Sequence, residues 1–201
     1  MELLRRCQRD PESLAILPGA FHPITRAHLA LAETALSRAG EVLFVMPRRL
    51  PHKGYDSVGL EERLSIVRTA IEPYPRFSLG VSEGGLFDEI AGECREHFDP
   101  SCRLWIVCGR DAAERAMSWA YPEGRTAASL LERCGLLVAD RSGRFDPPPT
   151  YADRIVRLEM PSGWEALSAT EIRRRIESGE PWRHLVPESA ADEIARVYLR
   201  R

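Results

Sequence analysis

The sequence predicts an α/β fold: a Rossmann-like, mostly parallel sheet with helices on both faces, forming a single domain over residues 1–201. Two observations lead there. Short apolar runs of strand length alternate along the chain with amphipathic stretches of helical period, the pattern of repeated strand–helix–strand units with right-handed crossovers. The 201 residues are also enough for one sizeable core, and no internal repeat or long linker divides them.

The elements follow in order. Leu14–Leu17 is a short apolar strand, and Leu29, Ala32, Leu36 and Ala39 recur at helical spacing up to Gly40. Glu41–Met46 (EVLFVM) has the composition of a buried parallel strand, stopped by Pro47. Leu60, Leu64, Val67 and Ile71 mark a second helix, and Phe77–Val81 a short strand. A weaker helix is expected around Phe87–His97, then a strand at Arg103–Cys108. Helices from about Asp111 to Trp119 and Arg125 to Arg133 precede a strand at Gly135–Ala139. Asp146–Thr150 holds three consecutive prolines and is loop. Arg154–Leu158 reads as a strand. Ser168–Ser178 reads as a helix opened by a capping box, Ser168-x-x-Glu171, and closed by Gly179 and Pro181. A last helix occupies roughly Glu188–Leu199.

Composition narrows the function classes. With 44% hydrophobic and 29% charged residues the chain reads as an ordinary soluble globular protein. A net charge of −2 argues against wholesale nucleic-acid binding, because no basic excess is available to neutralise a phosphate backbone. A small anionic ligand needs only local basic residues. No apolar run approaches a membrane span and the first residues, MELLRRCQRD, do not read as a secretory signal. The five cysteines, Cys7, Cys94, Cys102, Cys108 and Cys134, are odd in number and lack CxxC spacing, as expected of buried thiols in a reducing cytoplasm.

The chemistry concentrates after the strands. Gly19–His28, Pro47–Lys53, Gly109–Asp111, Arg141 and Ser168–Arg173 each follow a predicted strand, and in an open α/β sheet the crevice beyond the carboxyl ends is where ligands bind. Gly19–Leu29 (GAFHPITRAHL) reads as strand, tight turn and helix start. Such a start offers unpaired N–H groups and partial positive charge to an anion. Gly19 lets backbone approach a ligand. Thr25 is placed to cap the helix, with His28 in its third position beside the anion. Spacing alone also fits an ordinary strand-to-helix turn with a surface histidine. The loop after Pro47 gathers Arg48, Arg49, His52 and Lys53, either as a solvated basic turn or as an arm bringing charge onto a polyphosphate. Neither a nucleophile elbow with a Ser-His-Asp order nor an HExxH or Walker A sequence is present. A cationic rim of this kind suits phosphoryl or nucleotidyl transfer between two bound substrates.

GAFHPITRAHL resembles the (H/T)xGH-type signature of the nucleotidyltransferase superfamily, Gly-x-Phe-Asp/Asn-Pro-x-His/Thr-x-x-His. Gly19, Phe21, Pro23, Thr25 and His28 match, and His22 replaces the usual Asp or Asn. Over nearly its whole length the chain is most similar to bacterial nicotinate-nucleotide adenylyltransferases. Pro51-His52-Lys53 resembles their PPH(K/R) segment, Gly109-x-Asp111 their GxD, and Val138-x-x-Arg141 their VxxR. Trp119 stands at their spacing beyond Gly109. Ser168, Thr170, Ile172 and Arg173 resemble their ISxTxIR motif, and His184–Ala190 their C-terminal helix entry.

The resemblance implies a nucleotidyltransferase-type domain in which the C-terminal helices from about residue 168 complete the phosphate site. It implies adenylyl transfer from ATP to a pyridine mononucleotide, giving a dinucleotide and pyrophosphate, with Mg²⁺ bound mainly through the ATP phosphates. His28, Lys53 and Arg173 would be catalytic. Gly19, Ala20, Phe21, Thr25, Gly109, Asp111, Arg141, Ser168 and Thr170, with His28 and Arg173, would hold ATP. Trp119, Leu86, Phe87 and His52 would meet the acceptor, with Leu86-Phe87 standing where the family has Tyr-Thr. The same fold serves other phosphorylated acceptors, or CTP as donor, and a non-catalytic nucleotide sensor would keep the same pocket.

Overall fold

The structure is a computed structural model, which describes residues 1–7, 10–49, 58–119, 126–140, 145–164 and 167–200. Among them a seven-stranded sheet has the order β1-β4-β3-β2-β5-β6-β7. Its strands are β1 (Glu2–Arg5), β2 (Ser13–Pro18), β3 (Glu41–Pro47), β4 (Phe77–Ser82), β5 (Arg103–Gly109), β6 (Gly135–Ala139) and β7 (Ile155–Leu158). β2 to β7 are mutually parallel, and β1 pairs antiparallel with β4 at the edge.

β1 is the strand that the sequence does not announce. Glu2–Arg5 has no apolar alternation, and its register slips between Leu3 and Arg5. Long-range bonds secure it: the Arg5 guanidinium donates to the carbonyls of Ile71 and Tyr74 at 2.8 and 2.9 Å. The expected parallel strands are all present.

The helices are α1 (Arg26–Ala35), α2 (Leu60–Ile71), α3 (Phe87–Arg95), α4 (Arg110–Ser118), α5 (Ala127–Arg133), α6 (Ala169–Ser178) and α7 (Ala191–Tyr198). Period-two alternation along the strands feeds two cores, one on each face. Ala15, Leu17, Val42, Phe44, Met46, Trp105 and Val107 face α1, α2, α6 and α7. Leu14, Ile16, Leu43, Val45, Leu104, Ile106 and Cys108 face α3, α4 and α5. Helices thus cover both faces, as a parallel sheet requires.

Two helix ends differ from expectation. α1 stops at Ala35 rather than Ala39. Thr34 and Ser37 turn their hydroxyls onto the carbonyls of Ala30 and Thr34 (2.8 and 2.7 Å), and the Ser37 and Arg38 amides bond three residues back. This tightens the last turn out of α geometry. The last helix divides into a 3₁₀ turn, Glu188–Ala190, and α7.

The cysteines are free among the described residues, and four are buried. Burial pushes the Cys94 and Cys102 thiols up, and those of Cys108 and Cys134 up to about 12. Thiolate is the reactive form. Alkylation of the folded protein, read by mass spectrometry, should therefore label the partly exposed Cys7 and spare the other four until denaturant is added.

Candidate active site

The chain runs from β2 outward to β3 and β4 on one side, then returns to β5 beside β2 and continues outward to β6 and β7. The order reverses between β2 and β5, and ligands bind at such a switch point, beyond the strand carboxyl ends. The loops leaving Pro18 and Gly109 flank this crevice.

The Gly19–Thr25 connection is anchored at several points. The Gly19 amide donates to Val45 O (2.9 Å), extending the β2–β3 ladder. Phe21 takes a left-handed φ of 43° and is buried, its ring folded back over Gly19. A Cβ at Gly19 would stand 2.9 Å from two Phe21 ring carbons. The glycine is thus required by the Phe21 ring, a reason not visible in the expectation that it leaves room for a ligand.

Arg63 and Arg173 take up two carbonyls of the connection. Arg63, buried on α2, donates to Ala20 O at 2.7 Å and to Val58 O at 3.3 Å. Arg173 of α6 donates to His22 O at 2.5 Å and to Thr170 Oγ1 at 3.2 Å. The second contact set brings the two sequence motifs, some 150 residues apart, into hydrogen-bond distance. Sequence reasoning did not single out Arg63. Its signal was a charge within the apolar stripe of α2, between Leu60 and Val67, where a buried charge is uncommon unless it is paired.

Thr25 caps α1 and His28 is its third residue, as the spacing predicts. The bonding is reciprocal: the His28 amide donates to Thr25 Oγ1 (3.3 Å), and the Thr25 amide donates to His28 Nδ1 (3.0 Å). An Nδ1 that accepts from a backbone N–H puts the proton of neutral imidazole on Nε2. The ring also stands edge-on to Phe21, with centroids 5.2 Å apart and planes at 81°. His28 is therefore a fixed donor at a helix start, where an anion is favoured.

Ser168 caps α6, its Oγ accepting from the Glu171 amide at 3.1 Å. The expected capping box is only half formed there. The Glu171 carboxylate is bonded instead by Arg174 and Arg175, which hold it down to about 2. Arg174 and Arg175 are thereby occupied on the outer face of α6, while Arg173 reaches inward.

Gly109 ends β5 and caps α4, and a Cβ built there meets nothing within 4 Å among the described residues. Asp111 is exposed in the first turn of α4 and is not its cap. Trp119, which closes α4, is 37% exposed and is not a core residue.

On the acceptor side, Leu86 caps α3 and Phe87 packs at the edge of one core. The amides of Gly85 and Leu86 donate to the Glu89 carboxylate at 2.9 and 3.0 Å. Arg48, part of the expected basic arm, pairs with Glu2 and Glu83, each at 2.8 Å. Its charge is thus already met by carboxylates. His52, Lys53 and Arg141 lie outside the described residues.

A mostly parallel sheet whose switch point is flanked by the start of α1, with Arg173 of α6 bonded to the same connection, is the framework of an α/β nucleotide-binding fold. The chain belongs to the cytidylyltransferase-like family, whose model matches residues 16–175, from β2 to the end of the Ser168–Arg173 segment. Within it the relatives are named probable nicotinate-nucleotide adenylyltransferases. That of Herpetosiphon aurantiacus is 32% identical over 197 residues, covering 94% of this chain and 98% of that protein. That of Tropheryma whipplei is 34% identical over 193 residues, covering 91% and 97%. The fold is also that of Plasmodium falciparum nicotinic acid mononucleotide adenylyltransferase solved with NaAD. That structure has a TM-score of 0.71 and 17% identity, covering 92% of this chain and 95% of that one.

Proposed function

We propose that the protein transfers the adenylyl group of ATP to nicotinate mononucleotide, releasing pyrophosphate and forming a dinucleotide for NAD synthesis. The observation that carries this reading is the Arg173–His22 contact, which brings the Gly19–His28 and Ser168–Arg173 segments together beside the switch point. Relatives of nearly full length that bear the corresponding name support it.

In the proposed reaction an oxygen of the mononucleotide phosphate attacks the α-phosphorus of ATP in line. The bond from that phosphorus to the bridging oxygen breaks, and pyrophosphate leaves. The protein positions both substrates and meets the charge that develops between them. His28 Nε2–H and the start of α1 act on the α-phosphate. Ser168, Thr170 and Arg173 hold the β and γ groups, with Lys53 and Arg141 as further cationic contacts. Gly19, Ala20, Phe21, Thr25 and Gly109 shape the ATP site, and Asp111 orients a ribose through its hydroxyls. Trp119 stacks on the pyridine ring, and Leu86, Phe87 and His52 also serve the acceptor.

Mg²⁺ would neutralise the polyphosphate. Among the described residues no group of three or more His, Cys, Asp and Glu is arranged to hold a metal. In the proposed reaction that ion is carried chiefly by phosphate oxygens and water, as Mg²⁺ commonly is. The reaction belongs in the cytoplasm, and among the described residues no helix is long and apolar enough to cross a membrane.

One observation favours a second acceptor. Glu89 already takes the Gly85 and Leu86 amides, in the segment that the resemblance assigns to the pyridine substituent, and the family's Tyr-Thr hydroxyls are absent. A carboxylate placed there would face the Glu89 carboxylate, whereas a carboxamide N–H could donate to it, which makes nicotinamide mononucleotide the second acceptor to test. Pyrophosphate release measured with each mononucleotide in turn, and with ATP against CTP, decides between the acceptors and between the donors.

A further inference from the structure

α7 ends on Tyr198, whose hydroxyl lies 2.5 Å from His22 Nδ1, across 176 residues of sequence. The two rings also touch, with centroids 5.3 Å apart. We propose that Tyr198 is a positioning residue for the phosphate loop and acts through His22; the proposal rests on the adenylyl-transfer reading above.

His22 lies in the connection between the end of β2 and the Thr25 cap, a stretch without regular secondary structure. Beyond the Gly19 amide's bond to Val45 O, no helix or strand ladder sets its course, and that stretch follows its side-chain anchors. Phe21 supplies one by packing. Arg63 and Arg173 supply two more through the carbonyls of Ala20 and His22. The His22 side chain supplies the fourth. It is only 4% exposed, and a buried polar ring needs hydrogen-bond partners, or its desolvation is uncompensated. Tyr198 meets that need from outside the loop.

α7 is itself firmly seated. Ala191 and Ile194 are buried in the core, and Glu193 accepts from Ser65 Oγ at 2.5 Å and Thr69 Oγ1 at 2.8 Å of α2. The same α2 carries Arg63. Tyr198 therefore passes the position of a docked helix to the residue whose carbonyl Arg173 holds, and a site is only as well placed as the shell behind it. α7 thus joins α6 in building the site, by a side-chain bond that the family signature does not contain, since His22 stands there in place of Asp or Asn.

The test is a double-mutant cycle on the full-length chain, with Tyr198→Phe, His22→Leu and both together. Tyr198→Phe alone should lower kcat/KM for ATP at 25 °C about tenfold, the scale of one lost hydrogen bond to a buried group. In the His22→Leu background the same change should cost less than about twofold, because the bond is already gone. Equal losses in both backgrounds would overturn the proposal. So would a lower unfolding midpoint with kcat/KM unchanged, which is the mark of a purely structural contact. If the wild-type protein shows no turnover, the adenylyl-transfer reading fails, and amide hydrogen exchange over residues 19–25 decides the clamp by itself. Faster exchange in Tyr198→Phe supports it, and unchanged exchange overturns it.

Discussion

The His28→Ala protein is expected to stay folded and to lose about a thousandfold in kcat/KM for pyrophosphate release, the upper range for removing one preorganised donor to a developing charge. The size follows from where the ring stands. Nδ1 is fixed by the Thr25 amide and the ring packs against Phe21, so the imidazole is oriented before substrate binds. In the proposed reaction it acts at the phosphorus where bonds form and break. Alanine also removes half of a reciprocal helix cap, the bond from the Thr25 amide, a loss of about 0.5–1.5 kcal/mol in stability. The two effects separate readily: the cap loss lowers the unfolding midpoint, whereas the rate loss persists at 25 °C in protein shown by circular dichroism to be folded.

Arg173→Ala should lower kcat/KM about a hundredfold, within the range for such donors, and should raise KM for ATP more than His28→Ala does. In the proposed reaction Arg173 meets the leaving pyrophosphate, and its removal also takes the guanidinium from His22 O and Thr170. Arg173→Lys is the informative companion. Lysine keeps the charge but not the planar fork that reaches two acceptors at once, so it should recover only part of the loss. Complete recovery by lysine would mean that charge alone matters and that the contact with His22 does not.

These expectations rest on features legible in the sequence to different degrees. The parallel strands and the Thr25–His28 helix start were readable because apolar periodicity and capping chemistry are local signals. The switch point could be anticipated only in outline, since sequence order does not state which strands become neighbours. β1 was missed because an edge strand needs little apolar alternation and is held by distant bonds such as Arg5 to Ile71 O. The loop anchors were beyond reach for the same reason. Arg63 and Tyr198 depend on partners 43 and 176 residues away, and Arg173, expected in the site, has in His22 O a partner 151 residues away that the sequence does not show. Arg48 shows the converse: a basic loop residue that looked available to phosphate is paired with Glu2 and Glu83, which only tertiary structure brings near it.

The most direct measurement is pyrophosphate release from ATP and Mg²⁺ in the presence of nicotinate mononucleotide, with the dinucleotide product identified by mass spectrometry. The account predicts stoichiometric pyrophosphate and dinucleotide, both dependent on the mononucleotide and both nearly abolished in His28→Ala. ATP that binds without any pyrophosphate release, across nicotinate and nicotinamide mononucleotides alike, would contradict it.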